Sequence, residues 1–466
     1  MSDDELGRLS AVDALRAFRA GELSPVELLD ATERRADLIE PSVRAISVRT
    51  SERARAAARE SERRYATGEG IRPLEGLPVL VKHLDDIAGD PADQASLLLD
   101  GRVAETTSTV AQRVLDAGAV VHGRSASPEF GVASFTHSHR YGITRNPWGL
   151  DFSPGGSSGG AAAALACGTT TLATGSDSAG SIRMPASLCG VVGYKPPTGH
   201  VPNDPRSATP DFLSHGPMAR TVRDCALFYA VLSDGPLSWP GGGVRDVRVG
   251  VSVDVGGFPV EPAIKTLVEE CGRALRPAAL MPVEVPWVWS DLLRAAQGYL
   301  DRTGGVELAQ LAQGREELLC DYTLRQVHNA RASRSEDLDA CRAFQVRVRP
   351  RLHDLFEEID VLLCPTLGLN GFEAGDGYAD HGPVIDGVEV HYPFDTHIPV
   401  AFNVFNECAA LTVPCGMSPL GLPVGVQVVA PAVRESLVFR VAEAIEATSG
   451  AAVGVAVRHV FERLIA

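Results

Sequence analysis

Lysine is nearly missing from this chain: of 43 basic residues only Lys82, Lys195 and Lys265 carry an ε-amine. Arginine cannot act as a base in a protein, whereas a desolvated lysine can lose its proton, so any chemistry that needs a neutral amine has three candidates. Positive charge is scarce as well. The net charge is −16 with no Lys/Arg cluster, which excludes nucleic acid and an anionic membrane surface as partners. No apolar run approaches 18 residues, so a transmembrane span is excluded. The acidic opening Met-Ser-Asp-Asp-Glu-Leu has neither the charged nor the apolar region of a signal peptide, and the expected place is the cytoplasm. Cys-x-x-Cys pairs are missing too. The nine cysteines, spread from Cys167 to Cys415, read as reduced thiols, mostly small core residues, and not as a disulfide framework or zinc site. There is no repeat and no low-complexity block.

What is present is an ordinary globular composition, 45% hydrophobic and 22% charged over 466 residues, enough for a large core. Two helices are expected in the first forty residues, the second opening at Ser24-Pro-Val-Glu27, a capping box with proline at the first helical position. Strand-like and helical stretches then alternate. A strand around Val43 to Val48 precedes a helix from about Ser51 to Tyr65, and the apolar strand Val79 to Val81 leads into Lys82. Helices over about Thr109 to Ala117 and Ser158 to Cys167 stop at Gly118 and Gly168, with strands at Val120 to His122 and Thr170 to Ala173. This rhythm predicts a layered α/β sheet whose ligand site lies in loops at strand ends. A Pro/Gly stretch from Gly235 to Gly243 is a candidate boundary; residues 290 to 358 read as helical, and 368 to 400 as a long functional loop or lid.

The densest information lies between Ser153 and Arg183. Ser-Pro-Gly-Gly-Ser-Ser-Gly-Gly is followed by an Ala-rich run and by Gly-Ser-Asp-Ser-Ala-Gly-Ser-Ile-Arg, placing Ser157 and Ser181 in two glycine-flanked turns. A serine hydroxyl is a poor nucleophile without a base and donors for the developing oxyanion. No Gly-x-Ser-x-Gly elbow surrounds either serine, which leaves a histidine-based triad as the weaker reading. Lys82, desolvated by the strand before it, is the stronger base. A Ser157 hydroxyl bridging Lys82 and Ser181 would pass protons between nucleophile and base. Successive N–H groups at Ser178, Ala179, Gly180 and Ser181 can converge into an oxyanion hole. The glycines around Ser157 allow an unusual backbone there, a cis peptide included.

These segments, together with Asn146-Pro-Trp-Gly, Gly190-Val-Val-Gly-Tyr-Lys-Pro and Pro78-Val-Leu-Val-Lys, resemble the amidase signature family; weaker echoes at Gly216-Pro-Met-Ala-Arg-Thr-Val-Arg-Asp and Gly421-Leu-Pro-Val-Gly-Val-Gln extend the likeness over about residues 5 to 450. The resemblance implies a three-layer α/β/α sandwich around a large mixed sheet, a single domain spanning 1–466. Within it, N-terminal helices (1–70) would pack on a core carrying the site (71–235), and 290–405 would shape the substrate pocket. It implies Ser181 as nucleophile, Ser157 as relay, Lys82 as base, the amides of 178 to 181 as oxyanion hole, and Ser158, Asp177 and Arg183 as the groups that fix the two turns. No cofactor and no metal are implied. The substrate is a small-molecule or peptide amide, and the assembly could extend to a homodimer.

Three positions depart from the family pattern. His83 follows the lysine where Asp is common, Ala92-Asp-Gln-Ala-Ser replaces Thr-Thr-x-Gly-Ser, and His200 stands where Arg often follows Thr-Gly. They bear on the substrate entrance and on pH dependence. Other readings are weaker. A phosphate loop would need Lys and Ser/Thr after Gly160, where Ala161-Ala162 stand. His137-Ser-His139 has no companion ligand in sequence, and Lys195 reads as structural. His381, His391 and His397 read either as lid or as solvated loop residues. As alternatives to hydrolysis stand amide-forming acyl transfer, the glutamine-hydrolysing subunit of a transfer-RNA amidotransferase, and an inactive scaffold.

Overall fold

The computed structural model describes residues 1–204, 209–235, 243–379 and 381–465; the Gly235 to Gly243 stretch, apart from its two ends, lies outside the described residues. Eleven strands form one mixed sheet: β1 (Ile46–Arg49), β2 (Pro78–Lys82), β3 (Val120–Ser125), β4 (Leu172–Asp177), β5 (Val192–Lys195), β6 (Ser214–Ala219), β7 (Arg248–Val251), β8 (Ala279–Pro282), β9 (Val361–Pro365), β10 (Cys408–Met417) and β11 (Pro423–Pro431). Their spatial order is β1-β3-β2-β4-β6-β5-β10-β11-β9-β7-β8. β2 runs parallel to both β3 and β4, whereas β4 and β6 are antiparallel.

The layers follow from strand alternation, because successive side chains point to opposite faces. Val79 and Val81 of β2 join one hydrophobic cluster while Leu80 joins another, and Leu172 and Ala173 of β4 divide the same way. The second cluster is made largely by the helix Gly159–Cys167, whose residues are all buried; its alanines and glycines let it approach the sheet closely. The first takes in the N-terminal helices and much of the C-terminal half. The sheet is thus covered on both faces, and the three-layer expectation holds.

Ser24 caps the helix Pro25–Val43 with the expected capping box, but three helices, not two, occupy the first forty-three residues: Asp3–Arg8, Ala11–Ala20 and Pro25–Val43. The short first helix has its own capping box, formed by Ser2 and Glu5. The strands run further than expected at their C-terminal ends: β2 includes Lys82 and β4 reaches Asp177. Ladder pairing with β3 and β6 extends them past the apolar residues. The stretch from 368 to 400 is a loop carrying only a small hairpin, Val384–Ile385 with Val388–Glu389, and short 3₁₀ turns among its described residues. All nine cysteines are free.

Candidate active site

Lys82 closes β2 and Asp177 closes its parallel neighbour β4, so both side chains arise at the carboxyl edge of adjacent strands, where α/β sheets open a crevice. Lys82 is fully buried. Its Nζ lies 2.7 Å from Ser157 Oγ, 2.9 Å from Ser176 Oγ and 3.4 Å from the Ser176 carbonyl. Burial disfavours the ammonium and moves the pKa from 10.5 down to about 8, against the opposing pull of the Asp85 and Asp177 charges. The sequence pattern does not single out Ser176, although it stands inside the motif that flags its neighbours.

Ser157 follows a cis peptide from Gly156 and precedes the helix Gly159–Cys167. The flanking glycines are required by contact: a Cβ on Gly156 would lie 2.5 Å from the carbonyls of Ala133 and Phe135, and one on Gly160 would lie 2.3 Å from the Ala126 nitrogen. The Ser157 carbonyl accepts from Ser127 Oγ at 2.9 Å. Ser158 N–H donates to the Ser181 carbonyl at 3.1 Å, tying the two turns together. That tie is made by backbone alone: Ser158 Oγ is buried beside Gly175 and has no hydrogen-bond partner among the described residues. Ser181 is half-buried, and among the described residues its Oγ makes no hydrogen bond, so it is free to turn toward Ser157 or toward a ligand.

Asp177 and Arg183 hold the second turn. Arg183 forks onto the carboxylate, Nε and Nη2 each at 2.9 Å, with both side chains fully buried. The guanidinium also donates to the Pro399 carbonyl, Gln427 Oε1 and Asn403 Oδ1. Burial alone would raise the Asp177 pKa, but the Arg183 charge and the bonds from Arg183, Asn403 and the Gly180 N–H hold it well below the usual carboxylate range. The Gly180 N–H points at Asp177 Oδ1 (2.7 Å) and that of Ile182 at Oδ2 (3.2 Å). Of the four N–H groups expected in the oxyanion hole, that of Gly180 already donates to the carboxylate that shapes the turn. The N–H groups of Ser178, Ala179 and Ser181 have no acceptor among the described residues. Gly180 is still needed as glycine: its φ is +108° and a Cβ would lie 2.8 Å from Pro399.

Ser157, Ser176, Ser178, Ala179 and Ser181 all line one cavity of about 1170 Å³. His397 lies at its edge, neutral because burial lowers its pKa to about 3, and bonded through Nε2 to Ser134 Oγ at 2.6 Å. His381 and His391 are exposed and do not line it. His137 stacks on Phe135 at 4.8 Å, an aromatic-core role. Lys195 donates to the Pro196 carbonyl and Asn406 Oδ1 at 3.0 and 2.7 Å, and has no ion pair among the described residues.

Two of the departures from the family pattern meet each other. His83 Nε2 lies 2.8 Å from Asp93 Oδ1, and His83 Nδ1 lies 2.9 Å from Ser47 Oγ. Asp93 also accepts from the Tyr141 hydroxyl and Arg140 Nε, each at 2.7 Å. The third, His200, is tied to the Tyr229 hydroxyl at 3.1 Å.

The sheet, the crevice and the paired serine turns are those of the amidase signature class of amide hydrolases. Residues 27–439 match the Amidase family model, and the chain belongs to that family. It is 31% identical to an acylamidase of Rhodococcus erythropolis, over 96% of this chain and 97% of that one. It is 32% identical to a glutamyl-tRNA(Gln) amidotransferase subunit of Chloroflexus aggregans, over 94% of this chain and 96% of that one. A crystal structure of a bacterial aryl acylamidase of the amidase signature family superposes with a TM-score of 0.88 at 26% identity, covering 98% of both chains. The protein is an enzyme that hydrolyses amides.

Proposed function

We propose that amide hydrolysis runs through an acyl-enzyme on Ser181, with Lys82 as base and Ser157 as relay. The observation that carries this reading is the 2.7 Å contact between Lys82 Nζ and Ser157 Oγ, made by a fully buried amine whose pKa is lowered to about 8, at a cavity that Ser181 also lines. At pH 7 to 8 a sizeable fraction of such an amine is neutral and can accept a proton, which an exposed lysine cannot do.

Ser181 Oγ attacks the amide carbonyl carbon as its proton passes to Ser157 Oγ and the Ser157 proton passes to Lys82 Nζ. The carbonyl oxygen takes up the negative charge facing the open N–H groups of Ser178, Ala179 and Ser181, each such donor being worth on the order of 10²-fold in rate or more. Collapse breaks the C–N bond while Lys82 returns its proton through Ser157 to the leaving nitrogen. Water, activated along the same relay, then frees the acid and restores Ser181.

The substrate class that fits best is an N-acyl amide of a small molecule, in line with the acylamidase relative and the wide cavity. On this reading the chain is one amidase domain: residues 71–235 supply the reacting groups, while 297–326 and 392–397 close the cavity. Its nine free thiols support a cytoplasmic place. The likeness to amidotransferase subunits supports a second reading, a glutamine-hydrolysing subunit. That reading requires partner subunits before glutamine turns over. Labelling of the isolated chain with a serine-reactive fluorophosphonate tests the first reading: it expects labelling that Ser181→Ala abolishes, and labelling unchanged in Ser181→Ala would overturn it.

A further inference from the structure

Away from the serines, the cavity wall is built on a wide turn. Residues Asp301–Gly305 form a single π-helical turn, between the helices Trp289–Leu300 and Val306–Ala312, with Gly304 and Gly305 lining the cavity. Such turns are rare and recur at functional sites. Asp301, only 7% exposed, sits behind the wall. Its Oδ1 accepts from Gln297 Nε2 at 2.7 Å and from Gln326 Nε2 at 2.9 Å, and both glutamines line the cavity.

An ionised carboxylate only accepts, so it fixes which end of each amide it meets. With both NH₂ groups turned to Asp301, the two Oε1 atoms are the ends left over, and neither makes a hydrogen bond among the described residues. The seat is also shaped by what Gly305 lacks: a Cβ there would come within 3.0 Å of Gln326 Nε2. Asp86 and Arg102 line the same cavity, where the charge of the exposed Arg102 acts on Asp86, whose Oδ1 is itself buried.

We propose that Gln297 and Gln326, oriented by Asp301, make this wall a subsite for a cationic amino group on the amide substrate. An ammonium carries three donors and no acceptor, which complements the two amide oxygens, with the Asp301 carboxylate behind them. Asp301 acts through the glutamines as a positioning residue. A carboxylate-bearing substrate would meet oxygen atoms along this wall and is disfavoured. This inference rests on the acyl-enzyme reading above and adds the substrate class to it.

The test is a panel of matched amides ending in an ammonium, a hydroxyl or a carboxylate, with the varied group placed in turn on the acyl side and on the leaving amine. On one of the two sides the wild-type enzyme is expected to favour the ammonium over the hydroxyl by about tenfold in kcat/KM, the size of one charge-assisted hydrogen bond. The double variant Gln297→Met/Gln326→Met is expected to shrink that preference to about threefold or less, read as the ratio of kcat/KM for the ammonium and hydroxyl members. The single variants serve the same purpose if the double one does not fold. Hydrolysis without ammonium preference, a preference for the carboxylate, or an ammonium preference that survives both substitutions would overturn the inference while leaving the acyl-enzyme standing. Absence of both hydrolysis and fluorophosphonate labelling at Ser181 would overturn the acyl-enzyme reading and this subsite with it.

Discussion

His83, which directly follows Lys82, stands 2.8 Å from Asp93, both are fully buried, and each is a position where the chain departs from the amidase signature pattern. Two departures that look independent along the chain are one exchange in space. Restoring the family residue at one position alone should therefore do more harm than restoring both. His83→Asp sets two carboxylates against each other in a buried pocket and is expected to cost about 3 kcal/mol or more. Adding Asp93→Thr should recover at least about 1 kcal/mol, a coupling that urea unfolding of the four proteins measures. Strict additivity would refute the pairing.

Ala95 bears a strain of the same origin. It occupies the position where glycine is usual, and its φ is +57°, held by its N–H donating to Asp93 Oδ1 at 2.9 Å. A left-handed alanine costs roughly 1 to 2 kcal/mol, against about 0.5 to 1 kcal/mol for the extra freedom of glycine in the unfolded chain. Ala95→Gly is expected to stabilise the protein by up to about 1 kcal/mol. Thermal unfolding reads the sign.

The lowered Lys82 pKa fixes the direction of the pH profile. The proposed relay requires Lys82 to be neutral, so kcat/KM should rise with pH, approaching tenfold per unit well below pH 8, and level off above it. The Asp85 charge favours the ammonium and so keeps the pKa from falling further. Asp85→Asn should move the rising limb to lower pH. A limb that moves upward would contradict that role for Asp85.

Arg183 orders the turn that carries Ser181 through a buried fork on Asp177. Lysine cannot make two parallel bonds to a carboxylate, so Arg183→Lys is not conservative at this position. It should lower kcat by about a hundredfold or more through the misplaced turn, and lower stability by about 3 kcal/mol. The two are separable by assaying well below the unfolding temperature.

Much of the site is legible in the sequence because its parts are local. Ser157, Ser181, Asp177 and Arg183 sit in two turns dense with glycine, and Lys82 stands out in a chain with three lysines. What sequence does not supply depends on chain brought from far away. Asn403 and Gln427 complete the Arg183 contacts from more than 200 residues on. Gln297 and Gln326 acquire meaning only when a π-turn sets Asp301 between them. The direction of the Gly180 N–H depends on a carboxylate three residues away folding back on its own turn, which no residue pattern specifies. Strand ends differ from expectation for a related reason: pairing with neighbouring strands extends β2 and β4 beyond their apolar residues.

The central claim is that Ser181, and not Ser157, carries the acyl group. Trypsin leaves both on one peptide, since no Lys or Arg lies between Asn146 and Arg183. Intact mass alone therefore cannot decide. Fragment-ion mass spectrometry of that peptide, from enzyme quenched during turnover of a slow amide, separates them. The account predicts the added acyl mass on fragments that contain Ser181 and on none that contain Ser157 without it; acyl mass on Ser157, or on a peptide lacking both, would contradict it.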